Sequence, residues 1–257
     1  MSTALATSSS APPPAVPKRA GSSAVASAPV KGGELDFWSK RYSEEGHIWG
    51  DEPSETALQL LNRLDPVSKV LEIGFGYGRD LNEIIKHGHF ITGIELAAVG
   101  LTMANSELRQ HVEAGKANLI LGDFSRIDLN KDSMDGVLSH RTLHLLGNNG
   151  LVRAFTSHAA RVLKPNGLLV VSARDQRDFN EDQMFKREDG FVEYKNRPGH
   201  VISLWDKERF KSTFSRDFDI VGFKEGEEIE SQKNPVPSYF TIMVAKRKSS
   251  DLSLDLG

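Results

Sequence analysis

Val70-Leu71-Glu72-Ile73-Gly74-Phe75-Gly76-Tyr77-Gly78-Arg79-Asp80 joins a strand, a turn and a helix start in one short segment. Val70 to Ile73 is an apolar run broken by one acid, the pattern of a strand buried in a parallel sheet. Gly74, Gly76 and Gly78 follow at every second position. A turn without side chains lets backbone N–H groups approach a ligand closely and accepts positive φ. Helical character begins at Arg79. Strand, glycine turn and helix N-terminus in this order build a nucleotide-type pocket.

The glycine spacing separates two cofactor classes. A dinucleotide site uses G-x-G-x-x-G, whose third glycine lets helix and strand pack closely. Here the pattern is G-x-G-x-G, and Arg79 stands where that third glycine is wanted. A diphosphate also needs an open helix N-terminus, and Asp80 places the wrong charge there. An acid beside the turn suits a ligand with a positive amine. S-adenosylmethionine has an ammonium, a sulfonium and a ribose, and no phosphate.

The companions of such a site follow in order. Phe90-Ile-Thr-Gly-Ile-Glu95-Leu96 reads as a second strand ending in an acid that can accept both ribose hydroxyls. Asn118-Leu-Ile-Leu-Gly122-Asp123-Phe124 reads as a third, with Asp123 placed for an adenine amino group and Phe124 for the ring. Ser133-Met-Asp135-Gly-Val-Leu-Ser-His140 reads as a fourth. Arg161-Val-Leu-Lys-Pro165-Asn-Gly167-Leu-Leu-Val-Val-Ser172 reads as a helix end, a Pro-Asn-Gly turn and a fifth strand.

On Glu72-Ile-Gly-Phe-Gly-Tyr-Gly78, Glu95, Gly122-Asp123, Asp135-Gly-Val-Leu and Leu163-Lys-Pro-Asn-Gly167, the chain resembles the class I S-adenosylmethionine-dependent methyltransferase family over residues 35–247. Within it the sequence is most similar to the small-molecule branch that includes tellurite-resistance and thiopurine-type enzymes. That finer likeness rests on Phe37-Trp38-Ser-Lys-Arg41-Tyr42, Trp49-Gly50, Glu52-Pro53 and Gly78-Arg79-Asp80. The resemblance implies methyl transfer to a heteroatom of a small molecule, sulfur being favoured over oxygen and nitrogen. It also implies a last strand inserted antiparallel.

The alternation of helix and strand predicts an α/β fold: a doubly wound, mostly parallel sheet, seven-stranded in the family, with helices on both faces. Helices are expected near 35–45, 54–64, 79–88, 98–114, 148–163 and 207–214, and late strands near 218–225 and 237–246. Residues 1–33 are rich in Ala, Ser and Pro and hold no acid. They read as a disordered tail, with an organelle transit peptide as the competing reading. Residues 34–247 form the domain, and 248–257 a flexible end. The 257-residue chain has a net charge of −3 and no cysteine. There is thus no electrostatic case for nucleic acid or an anionic membrane, and no thiolate chemistry. No signal peptide or membrane-length apolar run is evident in this sequence, which fits a cytoplasmic protein.

In open α/β sheets ligands bind beyond the carboxyl ends of the strands, where the order reverses. The cofactor site is therefore expected from Glu72, Gly74, Phe75, Gly76, Gly78, Asp80, Glu95, Leu96, Asp123, Phe124 and His140. Glu72 or Asp80 would serve the methionine end, and a turn-stabilising role for Glu72 competes. A solvated loop role is the weaker rival for Glu95 and Asp123. His140 and Asp175 are the candidate bases, and Arg141 would hold or polarise an anionic acceptor or pair with a surface acid. His144 reads as a packed core histidine. Trp49, Arg141, Arg174 and Tyr194 are the acceptor-pocket candidates, an ion pair or cap being the alternative for Arg174.

The long polar segment 176–200 reads as a lid. His87 and His89 lack a third ligand, so no metal is expected. An Asn/Asp-Pro-Pro-Tyr/Phe motif is absent after the fourth strand, which disfavours a base or glutamine amide as acceptor. Two rivals remain: an NAD(P)-linked oxidoreductase and a binding protein that holds S-adenosylmethionine without turnover.

Overall fold

The five strands expected around the glycine turn form, and their alternation of side chains explains why both sheet faces need cover. In the computed structural model, which describes residues 32–249, β1 is Lys69–Ile73, β2 Phe90–Glu95, β3 Ala117–Leu121, β4 Met134–Ser139 and β5 Leu163–Arg174. Leu71, Ile73, Val137, Leu169 and Val171 point into one apolar cluster. Val70, Leu138, Leu168 and Val170 point into a second on the other face. Period-two runs without polar gaps require helices on both sides.

The helices meet that requirement. α1 is Gly32–Glu45, α2 Glu55–Leu61, α3 Arg79–Lys86, α4 Ala98–Glu107, α5 Arg109–Glu113, α6 Asn149–Val162 and α7 Lys207–Phe214. Leu151, Phe155, Ala159 and Val162 of α6 join Phe210 and Phe214 of α7 on the first face. Ala57 and Leu60 of α2, with Leu81, Ile84 and Ile85 of α3, cover the second. Residues 98–114, expected as one helix, break at Leu108, whose φ of −95° and ψ of 12° interrupt the turn. The expected tails 1–33 and 248–257 lie outside the described residues, except Gly32, Gly33, Lys248 and Ser249; Gly32 already opens α1.

β6 is Met184–Lys186, β7 Val192–Tyr194, β8 Val201–Ile202, β9 Phe218–Ile229 and β10 Pro237–Arg247. The main sheet has seven strands in the order β3-β2-β1-β4-β5-β10-β9. β10 lies antiparallel between β5 and β9, and the first five strands are parallel. Strand order reverses between β1 and β4, which opens the ligand crevice at their carboxyl ends. The segment expected as a loop lid instead carries a small antiparallel sheet, β6-β7-β8. Met184, Val192, Tyr194, Ile202 and Leu204 give it an apolar cluster of its own. Among the described residues, no helix is long and apolar enough to cross a membrane.

His158 of α6 lies edge-on to Phe124, buried with its Nε2 unpartnered among the described residues. Burial, reinforced by repulsion from Arg161, holds its pKa down to about 4. An unfolded histidine titrates near ~6.5. Between those values the unfolded chain binds more protons, so stability falls as pH drops through that window. His158→Leu is therefore expected to narrow the gap between the melting temperatures at pH 7.5 and pH 5 relative to the unchanged protein. An equal gap in both would show that His158 is not held neutral.

Candidate active site

The crevice is built from backbone that only glycine can supply at two points. Gly74 has φ of +77°, and a Cβ there would lie 2.2 Å from the Thr142 hydroxyl oxygen. Gly76 has φ of +61°, and a Cβ there would lie 2.9 Å from the Tyr42 hydroxyl oxygen. Gly78 has a different job. It caps the start of α3 and packs against Ala104 of α4, and it does not line the cavity. The cavity measures about 350 Å³, within the roughly 300–1,000 Å³ usual for small-molecule sites.

Four acids were expected around the cofactor, and all four line the cavity. Glu72 sits on β1 with 2% exposure, and its Oε2 has no partner among the described residues. Burial, then repulsion from Asp80, pushes its pKa well above the usual carboxylate range, partly opposed by Arg79. Glu95 ends β2; its Oε2 accepts from Gly76 N at 2.8 Å and its Oε1 from Leu96 N and Ala97 N. Asp80 is committed elsewhere: its two oxygens accept from Ser54 N at 2.7 Å and Ser54 Oγ at 2.6 Å, tying α3 to the cap of α2. Asp123 caps a short helical turn, Oδ1 accepting from Ser125 N and Ser125 Oγ. Phe75, Leu96 and Phe124 complete this side of the cavity.

The acceptor side differs from expectation because of two residues the sequence reading missed. Glu228 accepts from Arg79 Nη2 at 2.7 Å, from His140 Nε2 at 3.1 Å and from Arg141 Nη1 at 3.4 Å. Glu230 accepts from Arg174 Nη2 and from Arg141 Nη2. Ser238 Oγ accepts from Arg141 and donates to Asp178, which also pairs with Arg174. Three guanidiniums thus meet three carboxylates inside the fold. Burial pushes the Glu228 carboxyl up, yet its contact with His140, followed by Arg79 and Arg141, holds it far below its usual range. Both acids belong to the β9–β10 hairpin, whose strands run longer than the pattern predicted. Its connection docks on the N-terminal loop through Trp49 Nε1 to Glu230 O at 3.0 Å and Gln232 N to Ile48 O at 2.8 Å. The period-two spacing of Glu228, near the end of β9, and Glu230, just past it, was the available signal, since extended chain places both on one side.

This network redefines the candidate bases. His140 has both ring nitrogens engaged. The ionised Glu228 can only accept, so Nε2 carries the proton, and Nδ1 accepts from Thr56 Oγ1 at 2.8 Å and Ser172 Oγ at 3.0 Å. Arg141 is held at φ of +50°, and its guanidinium is spent on Glu228, Glu230 and Ser238. Asp175 caps the turn at 176–178 and chelates Arg177, and it does not line the cavity. His144 was read as core, and it is buried, yet it lines the cavity with Nδ1 unpartnered among the described residues. Burial, then Arg174 and Arg141, holds its pKa well below the usual imidazole range, so it is neutral. Trp49, Arg174 and Tyr194 all line the cavity, and the Tyr194 hydroxyl accepts from Arg174 at 3.1 Å. No cluster of three potential metal ligands occurs among the described residues.

Residues 71–171, which span the glycine turn through β5, match the family model described as a methyltransferase domain. This stretch is thus similar to a methyltransferase domain. A curated O-methyltransferase of Pyrenophora dematioidea is 30% identical over 118 residues, 45% of this chain and 43% of that protein. The matched stretch thus spans less than half the length of that relative. A SAM-dependent methyltransferase from Methanosarcina mazei superposes with a TM-score of 0.60 at 19% identity, over 73% of this chain and 95% of that one. The 1,6-didemethyltoxoflavin-N1-methyltransferase of Burkholderia thailandensis, solved with bound 1,6-didemethyltoxoflavin and S-adenosylhomocysteine, does so with a TM-score of 0.64 at 16% identity. It covers 87% of this chain and 94% of that one. At these identities the structural likeness establishes the Rossmann-like methyltransferase fold.

Removing Glu228 takes one counter-charge from each of the buried Arg79 and Arg141, which costs up to about 3–5 kcal/mol. Glu228→Gln is expected to lower the urea midpoint accordingly. A midpoint within error of the unchanged protein would show that Glu228 does not hold the hairpin against Arg79 and Arg141.

Proposed function

We propose that this protein transfers a methyl group from S-adenosylmethionine to a heteroatom of a small-molecule acceptor. The observation that carries this reading is the Glu72 carboxyl: buried, facing the cavity, lacking a partner for Oε2 among the described residues, and two residues before the positive-φ turn at Gly74. A buried acid with no partner is costly unless a cation completes it. The methionine ammonium is such a cation, and a diphosphate is not. That asymmetry favours this reading over an NAD(P)-linked oxidoreductase. The cradle at Gly74 and Gly76 and the acid at the end of β2 fit the rest of the molecule.

The roles follow from placement. Glu72 binds the ammonium. Glu95 takes a ribose hydroxyl on the lone pair that Gly76 N leaves open on Oε2. Asp123 and Phe124 flank the adenine. When bound, S-adenosylmethionine supplies an electrophilic methyl group on a sulfonium. Trp38, Tyr42, Trp49 and Tyr77, mutually in contact, exclude water on the N-terminal side. The neutral His144 Nδ1 accepts a hydrogen bond or proton from the acceptor, and His140 acts as a positioning residue. Alignment and water exclusion provide most of the acceleration, because the sulfonium is already a good leaving group.

Sulfur is our first choice of heteroatom, from the aromatic and basic motif at 37–42. The O-methyltransferase and N1-methyltransferase relatives support oxygen and nitrogen as well. The tellurite-resistance and thiopurine-type likeness rests on sequence motifs alone. A cytoplasmic location and a small-molecule partner remain part of this proposal.

Two measurements test it. Calorimetry should show S-adenosylhomocysteine binding, weakened about ten- to a hundredfold by Glu72→Gln, as expected for loss of a charged hydrogen bond. Burial holds the Glu72 pKa well above the usual carboxylate range and a bound ammonium lowers it, so binding should be accompanied by proton release. Heats measured in buffers of different ionisation enthalpy should reveal that release in the unchanged protein and not in the variant. Absence of binding to the folded protein would end this reading. Binding without transfer to any thiol, phenol or amine would favour a non-catalytic binding protein.

A further inference from the structure

We propose that the acceptor is a flat molecule carrying a carboxylate, and that Arg197 selects it. This inference rests on the methyl-transfer reading of the same cavity. Six arginines line that cavity: Arg41, Arg79, Arg141, Arg174, Arg187 and Arg197. Five of them are already neutralised. Arg41 pairs with Glu45, Arg79 with Glu228, Arg141 and Arg174 with Glu230, and Arg187 with Asp189 and Glu193. Arg197 has no carboxylate partner among the described residues. Its guanidinium sits instead over the Tyr194 ring at 4.3 Å and the Phe37 ring at 5.1 Å.

That setting is suited to anion recognition. The two rings fix the plane of the guanidinium without using its N–H donors, which have no side-chain acceptor among the described residues and suit a bidentate contact with a carboxylate. Phe37, Tyr194 and His200 pack ring against ring beside it, with centroids 5.6 Å and 5.3 Å apart. Aromatic walls of this kind favour a flat guest. Position separates this group from the cofactor's own carboxylate. Tyr194 is anchored by its hydroxyl to Arg174 at the end of β5, whereas the cofactor residues end β1, β2 and β3. β4 lies between the two regions. Arg197 therefore faces the side where the acceptor must enter, opposite the adenosine. Arg141 and Arg174, the anion-binding candidates of the sequence reading, instead build the wall that Arg197 stands on.

The test compares isosteric pairs that differ in one charge: 4-hydroxybenzoate against 4-hydroxybenzamide, and 3-mercaptopropionate against 3-mercaptopropionamide. Each is titrated into the full chain loaded with S-adenosylhomocysteine, and turnover is followed with labelled S-adenosylmethionine. The carboxylates should bind about ten- to a hundredfold more tightly than their amides, and the flat member of the charged set more tightly than the flexible one. Arg197→Gln should remove the charge preference and raise KM while sparing kcat and S-adenosylhomocysteine affinity. Arg197→Lys should restore part of it. Equal binding of acid and amide, failure of both carboxylates to bind, or loss of S-adenosylhomocysteine affinity in Arg197→Gln would each overturn the inference. Failure of S-adenosylhomocysteine to bind the unchanged protein would instead defeat the methyl-transfer reading beneath it.

Discussion

The close crossing of backbone at the carboxyl ends of β1 and β4 governs the rest of this molecule. Thr142 leaves no room for a side chain at Gly74, and Tyr42 leaves almost none at Gly76. The turn therefore stays open to a ligand on one side and is pinned by neighbours on the other. Gly74 N donates to Ile94 O, and Gly76 N donates to Glu95, so the turn is fastened to β2 as well. A cradle made from three elements keeps its shape without a ligand to order it, which is the condition for tight recognition at low entropic cost.

Charge is the second organising constraint. Burying Arg79, Arg141 and Arg174 is tolerated because the β9–β10 hairpin brings Glu228 and Glu230 to them. The hairpin then closes the crevice by bonding to the 48–49 segment. Neutralisation has a chemical consequence. With these arginines spent, the groups still able to act on a guest are few: the Glu72 oxygen, the His144 Nδ1 and the Arg197 guanidinium. Two of the three are buried polar atoms without a partner among the described residues, a rare condition in folded proteins.

The sheet was legible because its strands obey a local rule. Apolar runs bounded by glycine or acid are visible without knowing what packs on them, and the glycine turn fixed where the crevice would open. Glu72, Glu95 and Asp123 could be placed for the same reason, since each ends or lies in such a run. Asp80 and Asp175 could not be resolved by sequence. Whether an acid serves a ligand or caps a neighbour depends on what tertiary contact brings to it, here Ser54 and Arg177. His140 and His144 differ in sequence by four positions and in role by their neighbours alone. Residues 176–200 resembled a loop because β6, β7 and β8 are too short to show a period.

The central claim is that this crevice holds one sulfonium cation and its nucleoside. A crystal structure of the protein with S-adenosylhomocysteine tests it most directly. The account predicts the ammonium within hydrogen-bond distance of Glu72 Oε2, a ribose hydroxyl on Glu95, and the adenine between Asp123 and Phe124. Ligand density elsewhere, or a Glu95 carboxylate that bonds only backbone while the sugar lies apart, would contradict it.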